Sequence, residues 1–79
     1  MKELLEYLVT NIVEKPEAVT VSEEKTPSGL LILHLSVDPA DMGRVIGKEG
    51  KIIKAIRTLL HLKALKKGLR FSLDLKEVS

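Results

Sequence analysis

The sequence predicts a single α+β domain over residues 1–79, with the element order αββααβ. Apolar residues recur at three- and four-residue spacing in two segments, which predicts helices, and alternate with polar residues in three others, which predicts strands. An N-cap residue followed by proline marks the start of one further short helix. A chain of 79 residues supports one small hydrophobic core and leaves no room for a second domain. Two helices separate the second strand from the third, and this connection is long enough to permit parallel pairing.

The first half of the chain is predicted to form a helix and a β-hairpin. Residues 2–14 place their apolar side chains on one helical face, and Pro16 marks the end of this helix. Alternation predicts strands over 18–24 and 30–37, and the turn-forming residues 25–29 join them. We expect Tyr7, and later in the chain Phe71, in the core or at its edge.

The second half is predicted to form two helices and a strand. Asp38 caps a short helix that Pro39 begins and Gly47 ends. A long helix starts at Lys51 and ends with basic residues followed by Gly68. Residues 69–76 then alternate as a half-buried strand, so each strand has one apolar face for the helices to cover.

Composition excludes several classes of function. Aromatic residues make up 3% of the chain, which argues against domains that stack bases on aromatic side chains. Cysteine is absent, which excludes disulfides, thiol catalysis and thiolate metal sites, and two histidines alone cannot complete a zinc site. The longest uncharged stretch is too short to span a bilayer. We therefore expect a soluble cytoplasmic protein with no metal and no cofactor.

Charge is distributed unevenly along the chain. Residues 42–70 contain nine Lys or Arg and one acid, whereas the rest contains four Lys and ten acids. The overall net charge of +2 conceals this separation. It favours a basic face for a polyanion, although a Lys-rich helix exposed to solvent would give the same count.

Two glycines frame a two-residue loop between the predicted helices, and the loop comprises Gly47, Lys48, Glu49 and Gly50. Residues without a Cβ let another backbone approach closely, and the amides at a helix start have no helical partner. Together they favour phosphate binding, and Lys51 and Lys54 add positive charge. Glu49 is an acid in this proposed anion site, although its position at a helix start favours the fold.

The same segment has three alternative interpretations. A P-loop needs four residues between its glycines, whereas Gly43 and Gly47 are separated by three, so nucleotide hydrolysis is excluded. A helix-turn-helix that binds duplex DNA also has a short turn with glycine, but it usually belongs to a helical or winged domain. A helix pair packed only for stability is the third possibility.

The segment resembles the signature of KH domains, an aliphatic pair followed by GxxG and two isoleucines. The matching residues are Val45, Ile46, Gly47, Gly50, Ile53 and Ile56. The element order resembles the bacterial, type II form of the domain. Nearly the whole chain, including the Asp-Met-Gly run at 41–43 and the Ala-Ile-Arg-Thr run at 55–58, resembles the small single-domain KhpA family.

The resemblance implies a mixed three-stranded sheet with three helices on one face, binding about four nucleotides of single-stranded RNA. The clamp on the backbone would be Gly47, Lys48, Glu49 and Gly50. Val45 and Ile46 would form a wall of the base groove, and residues 25–29 would be the variable loop. Independently of the resemblance, their places beside the loop make Arg44, Lys51 and Lys54 candidates for contact with phosphates, with a solvated charge as the alternative for each. At Gly43 either a base or another helix would come close.

The long helix has an apolar arc wider than one contact with the sheet requires. Ala55, Leu59 and Leu62 extend the arc past the core-facing side, and Leu65 lies farther round. We expect partly exposed leucines here and an interface with a second copy or a partner, unless the first helix covers them. The family resemblance implies a larger KH-containing partner of the KhpB, or Jag, family.

The resemblance also implies an RNA chaperone or post-transcriptional regulator, linked to cell shape and cell-wall biogenesis. No enzyme activity is expected. His34, Ser36 and Asp38 share a strand face, but alternate residues on a strand lie about 6.6 Å apart, too far for a directly bonded relay. The alternatives are an assembly subunit with a KH fold and no RNA binding, and a binder of duplex DNA.

Overall fold

The computed structural model describes residues 1–78 and has the α+β architecture that the sequence predicts. The helices are α1 (Lys2–Thr10), α2 (Met42–Ile46) and α3 (Lys51–Lys67). The strands are β1 (Thr20–Lys25), β2 (Leu30–Val37) and β3 (Arg70–Glu77). Short 3₁₀ turns occupy Pro16–Ala18, Pro39–Asp41 and Lys48–Gly50.

The three strands form one mixed sheet in the order β1-β2-β3. β1 pairs antiparallel with β2 through the predicted hairpin, and β2 pairs parallel with β3. The parallel pair confirms that the two intervening helices act as a crossover. β2 therefore lies in the middle, and β1 and β3 each have a free edge.

The helices pack on one face of the sheet, and the core lies between the two layers. Alternate residues of β2 face this core, where the apolar stripes of α1 and α3 meet them. The side chains that are completely buried include Leu5, Val9, Leu33, Leu35, Val37, Val45 and Leu60. On the opposite face of the sheet, His34 and Ser36 remain partly exposed, as their alternation predicted.

The first helix ends at Thr10 rather than at residue 14, so the predicted boundary is wrong. Asn11 closes the helix by donating from its side-chain amide to the carbonyl of Tyr7, at 2.6 Å. Farther along the segment the backbone N–H groups have a distant partner: those of Glu14 and Lys15 each donate to the Asp41 carboxylate at 3.0 Å. This contact crosses 27 positions of the chain, so local periodicity could not predict it.

Two further expectations in this region change. The first strand begins at Thr20 rather than at residue 18, because Pro16–Ala18 forms a 3₁₀ turn. Tyr7 is 67% exposed and does not belong to the core. It lies two positions from both Leu5 and Val9, and two positions correspond to about 200° of helical rotation, which places it on the opposite face of α1.

Candidate nucleic-acid interface

The loop of residues 47–50, called here the GxxG loop, requires glycine at its first position. Gly47 ends α2 with φ 75° and ψ 174°. A Cβ at Gly47 would lie 2.6 Å from Cγ1 of Ile52, closer than side chains approach one another. Both the backbone angle and the lack of space therefore exclude a side chain at Gly47. The sequence itself suggested a related role for glycine here, since a residue without a Cβ lets another backbone approach closely.

The second half of the loop has left-handed backbone. Glu49 has φ 56° and ψ 26°, and Gly50 has φ 75° and ψ 17°. Gly50 donates its N–H to the carbonyl of Gly47 at 3.1 Å, and α3 begins at the next residue. The side chains of Lys48 and Glu49 are exposed, so both stand beside the start of a helix whose first amides lack helical partners.

The aliphatic pair before the loop divides between core and surface. Val45 is completely buried, whereas Ile46 is 37% exposed. Ile46 is therefore the member of the pair that is placed to touch a ligand, and Val45 supports it from the core. Gly43 is exposed, and a Cβ there would meet nothing within 4 Å among the described residues. No helix crosses at Gly43, so its surface is open to a ligand.

The charged candidates fall into two groups. The Arg44 guanidinium is engaged by two carboxylates: its Nη2 donates to Glu14 Oε1, and its Nε lies 3.5 Å from Asp41 Oδ1. Lys51, Lys54 and the neighbouring Arg57 are exposed, and none has a carboxylate within 4 Å in residues 1–78. α3 itself contains no acid. Its polar side is therefore the uncompensated positive surface next to the loop.

A surface cavity of about 480 Å³ lies between α3 and β3. Its lining residues come from the polar side of the helix and the free strand edge: Arg57, Thr58, His61, Phe71, Ser72 and Leu73. Sequence reasoning did not propose Arg57, Thr58 or His61 as site residues. The parallel register of β3 beside β2 places them together, and no local motif indicates it.

The β1–β2 turn lies away from both features. It precedes β2 at the sheet end where β3 also begins, and the last turn of α3 leads directly into β3. The GxxG loop lies at the other end of α3, about 25 Å along a helix of 17 residues. In the part of the chain that the structure describes, residues 25–29 do not line the cavity.

A second surface of α3 is apolar. Ile52, Ala55, Leu59 and Leu62, called here the α3 stripe, are all exposed, and Leu62 is 55% exposed. α1 does not cover them, so the expected exposure of these leucines is confirmed, and Leu65 is exposed as well. A shallow cavity of about 390 Å³ borders the stripe, lined by Leu62, Lys63, Lys66 and Lys67.

Residues 1–78 contain neither a candidate membrane span nor a candidate metal site. No helix there is both long enough and apolar enough to cross a membrane. No group of three or more His, Cys, Asp or Glu side chains is arranged to hold a metal ion.

Two helices joined by a GxxG loop and packed on a mixed sheet of this strand order define a type II KH domain. Residues 2–75 match the family described as "KhpA/KhpB, KH domain". The chain belongs to this family. The match covers all three helices and reaches into β3, so it includes the loop and every residue that lines the larger cavity.

The chain is also similar to curated relatives from several bacteria, each named "RNA-binding protein KhpA". It is 46% identical to the one from Chlamydia pneumoniae over 77 residues, covering 98% of this chain and 97% of the relative. It is 48% identical to the one from Clostridium perfringens over 68 residues, covering 86% and 89%. The Listeria monocytogenes relative is 43% identical over 77 residues, covering 98% and 100%. All three are named for binding and not for catalysis.

Among solved structures, the fold is similar to that of Era in complex with MgGDPNP and nucleotides 1506–1542 of 16S ribosomal RNA. The TM-score is 0.63 at 21% sequence identity. The similarity covers 98% of this chain but only 30% of the Era chain. At this identity the comparison shows that the fold is shared.

Proposed function

We propose that this protein binds single-stranded RNA in the cytoplasm, that its whole length acts as one KH domain, and that the GxxG loop holds the RNA backbone. The observation that carries the proposal is the GxxG loop at the start of α3. Gly47 tolerates no side chain, and the first amides of α3 lack helical partners. Such a loop accepts a phosphate closely. Relatives named for RNA binding support the same conclusion.

The bases lie in the groove that runs from the loop along α3 in this proposal. Gly43 and Ile46 border the groove near the loop, and the cavity between α3 and β3 continues it. Lys51, Lys54 and Arg57 follow the same side of α3 without carboxylate partners in the described chain, so they attract the backbone. Contacts to base edges replace most stacking, because the rings that line the cavity are limited to Phe71 and the imidazole of His61.

A single KH domain that contacts about four nucleotides binds weakly, and we propose that association through the α3 stripe compensates. The stripe residues are separated by three, four and three positions, the spacing with which helices pair. Its occupant is a second copy of this chain, with a larger KH-containing protein of the KhpB, or Jag, family as the alternative. Two clamps on one RNA suit an RNA chaperone or post-transcriptional regulator, and a role in cell shape and cell-wall biogenesis is part of the proposal.

Titration of labelled RNA, single-stranded DNA and duplex DNA at two salt concentrations tests the binding class. We expect salt-sensitive binding that favours single-stranded RNA, because lysines that contact phosphates release counterions. A preference for duplex DNA would replace this proposal with the helix-turn-helix alternative. Absence of salt-sensitive binding to all three would leave an assembly subunit with a KH fold.

The position of the clamp is tested by the double substitution Lys48→Asp with Glu49→Asp. Lys48→Asp replaces a positive by a negative charge at a helix start, which the fold tolerates, but directly beside the proposed phosphates, and Glu49→Asp keeps the acid that is already there. RNA binding should be lost while the circular dichroism spectrum is unchanged. The matched control is Lys2→Asp with Glu3→Asp, the same dipeptide at the start of α1. Equal affinity in the two double variants would place the clamp elsewhere.

A further inference from the structure

Asp41 is the buried charged residue of the described chain, with 2% of its surface exposed. Its two oxygens accept separate backbone N–H groups, from Glu14 and from Lys15, each at 3.0 Å. Both carboxylate oxygens hold backbone groups of the segment that follows α1. Asp41 thus fixes the segment after α1 to the residue that immediately precedes α2.

Arg44 extends this contact from the first turn of α2. Its Nε lies 3.5 Å from Asp41 Oδ1, and its Nη2 donates to the Glu14 carboxylate. The planar guanidinium can serve both carboxylates at once, which a lysine ammonium does less well. Asp41, Arg44 and Glu14 are called here the α2 network. The Lys15 ammonium and the Asp38 carboxylate, 3.7 Å apart, join the same two segments beside it.

The charge of the α2 network argues against a direct role for Arg44 in RNA binding. Its one positive charge faces two negative charges, so the local balance is negative. A phosphate approaching this side would have to compete with both carboxylates. The polar side of α3 has the opposite character, because Lys54 has no carboxylate within 4 Å in residues 1–78.

α2 needs external support to hold a fixed direction. It contains five residues, and a helix so short is not stable without tertiary contacts. Its start is held by the α2 network, and its end leads directly into the GxxG loop through Gly47, whose N–H donates to Gly43 at 2.9 Å. Any change in the direction of α2 therefore moves the loop.

We propose that Asp41 and Arg44 are positioning residues for the RNA clamp. They fix α2 against the backbone of residues 14 and 15, so that the GxxG loop keeps one orientation, and Arg44 does not contact phosphate. The inference rests on the proposed binding of RNA by the loop. It replaces the expectation that Arg44 reaches a phosphate.

Salt dependence of RNA binding separates the two roles of Arg44. We expect Lys54→Gln to reduce the slope of log K against log salt by about 0.7, the value for one phosphate contact to a single strand. Arg44→Gln should weaken binding by roughly 3- to 10-fold, the range of one coupled contact, and leave the slope unchanged. A reduced slope in Arg44→Gln, or unchanged affinity, would overturn the inference.

Amide hydrogen exchange in the free protein tests positioning without RNA. The amides of Gly47 and Gly50 should exchange faster in Arg44→Gln and in Glu14→Ala, because both substitutions break the α2 network. Their exchange rates should be unchanged in Lys54→Gln and in Glu17→Ala. Glu17→Ala is the control for Glu14→Ala, because it removes the same charge from the neighbouring 3₁₀ turn. Unchanged exchange in Arg44→Gln would overturn positioning.

The two experiments, salt dependence of RNA binding and hydrogen exchange of the free protein, also separate this inference from the proposed function. If the wild-type protein binds no RNA, the proposed function fails, while exchange at Gly47 still reports whether Arg44 positions the loop. Asp41→Asn is a more severe change, because it weakens a buried acceptor, and its thermal unfolding should be measured first. Arg44→Gln and Glu14→Ala change exposed side chains, so they keep the test independent of any loss of folding.

Discussion

The imidazole Nδ1 of His34 lies 3.3 Å from Oδ2 of Asp74, its direct partner in the parallel register of β2 and β3. The other ring nitrogen, Nε2, lies 3.0 Å from Oε1 of Glu24 on β1. One side chain on the middle strand therefore connects all three strands on the face without helices. Lys76, whose Nζ is 3.5 Å from the same Asp74 oxygen, is the remaining charged group of this cluster.

Folding stability should depend on pH through His34. The hydrogen bond with Glu24, followed by that with Asp74, raises the pKa of His34 above its ordinary value of 6.5. The folded state thus favours the protonated ring. The contribution of His34 to the free energy of unfolding is therefore complete below the ordinary pKa and is lost as the pH rises through the raised pKa of the folded state. We expect thermal unfolding to occur at a higher temperature near pH 5.5, about one unit below the ordinary pKa, than near pH 9.

The control for this pH effect is His34→Gln, which keeps a polar side chain but cannot titrate. The difference in unfolding temperature between the two pH values should shrink in this variant. An equal difference in wild type and variant would assign the effect to another group.

Gly47→Ala should destabilise the fold and abolish RNA binding. With φ 75° and ψ 174°, Gly47 lies in a backbone region that is essentially restricted to glycine, which costs a residue with a Cβ about 1–3 kcal/mol, and overlap with Ile52 adds about 1–3 kcal/mol. Urea unfolding measures the sum. Gly29→Ala is the matched control, because its φ is 89° but its Cβ would meet nothing within 4 Å among the described residues. Equal losses in both variants would contradict the close approach at Gly47.

Replacing Glu49 by glycine should stabilise the protein by about 1 kcal/mol, because Glu49 has a left-handed backbone that glycine adopts without strain. The same change removes an acid from the clamp and should tighten RNA binding. Glu49→Gln separates the two effects, since it removes the charge but keeps the strain. A gain in stability for Glu49→Gln as large as that for Glu49→Gly would argue against relief of strain.

Leu62→Glu should dissociate the proposed dimer. Leu62 belongs to the α3 stripe, and a carboxylate there would lose its water at the apolar interface, a cost that pairing with Lys66 four positions on does not repay. Analytical ultracentrifugation over micromolar to millimolar concentration gives the mass. His61→Glu is the control, because His61 lines the cavity on another side of the same helix turn. A monomeric wild type across this range would end the proposal, and a dimer that persists in Leu62→Glu would move the interface elsewhere.

Local sequence signals predicted the elements that local chemistry controls. The Asp38 side chain accepts from the N–H of Ala40 at 2.9 Å, and Gly68 ends α3 in left-handed backbone, as their types and positions indicated. Gly47 and Gly50 likewise have the positive φ that a two-glycine loop suggested. The length of the crossover permitted parallel pairing of β2 with β3, and the mixed sheet itself was implied by the family resemblance.

The features that sequence reasoning missed depend on contacts between distant positions. Arg44 looked free beside the loop because its partner Glu14 is 30 positions away. His34 was compared with Ser36 and Asp38 on its own strand, whereas its partners are on the neighbouring strands. In each case periodicity gives the face of an element, but only the register of the sheet and the packing of the linkers decide which groups meet.

The parallel pairing of β2 with β3 also affects the folding pathway. Partners such as His34 and Asp74 are separated by 40 positions, whereas the β1–β2 hairpin closes through a short turn. Closing the longer loop costs more chain entropy and slows the step in which it occurs. We expect the hairpin to form early and β3 to join late, so the wall that β3 gives to the cavity is completed near the end of folding. Intermediates that lack β3 have the GxxG loop but not the complete groove. RNA that binds the groove would therefore bind only the fully folded chain and stabilise it relative to these intermediates.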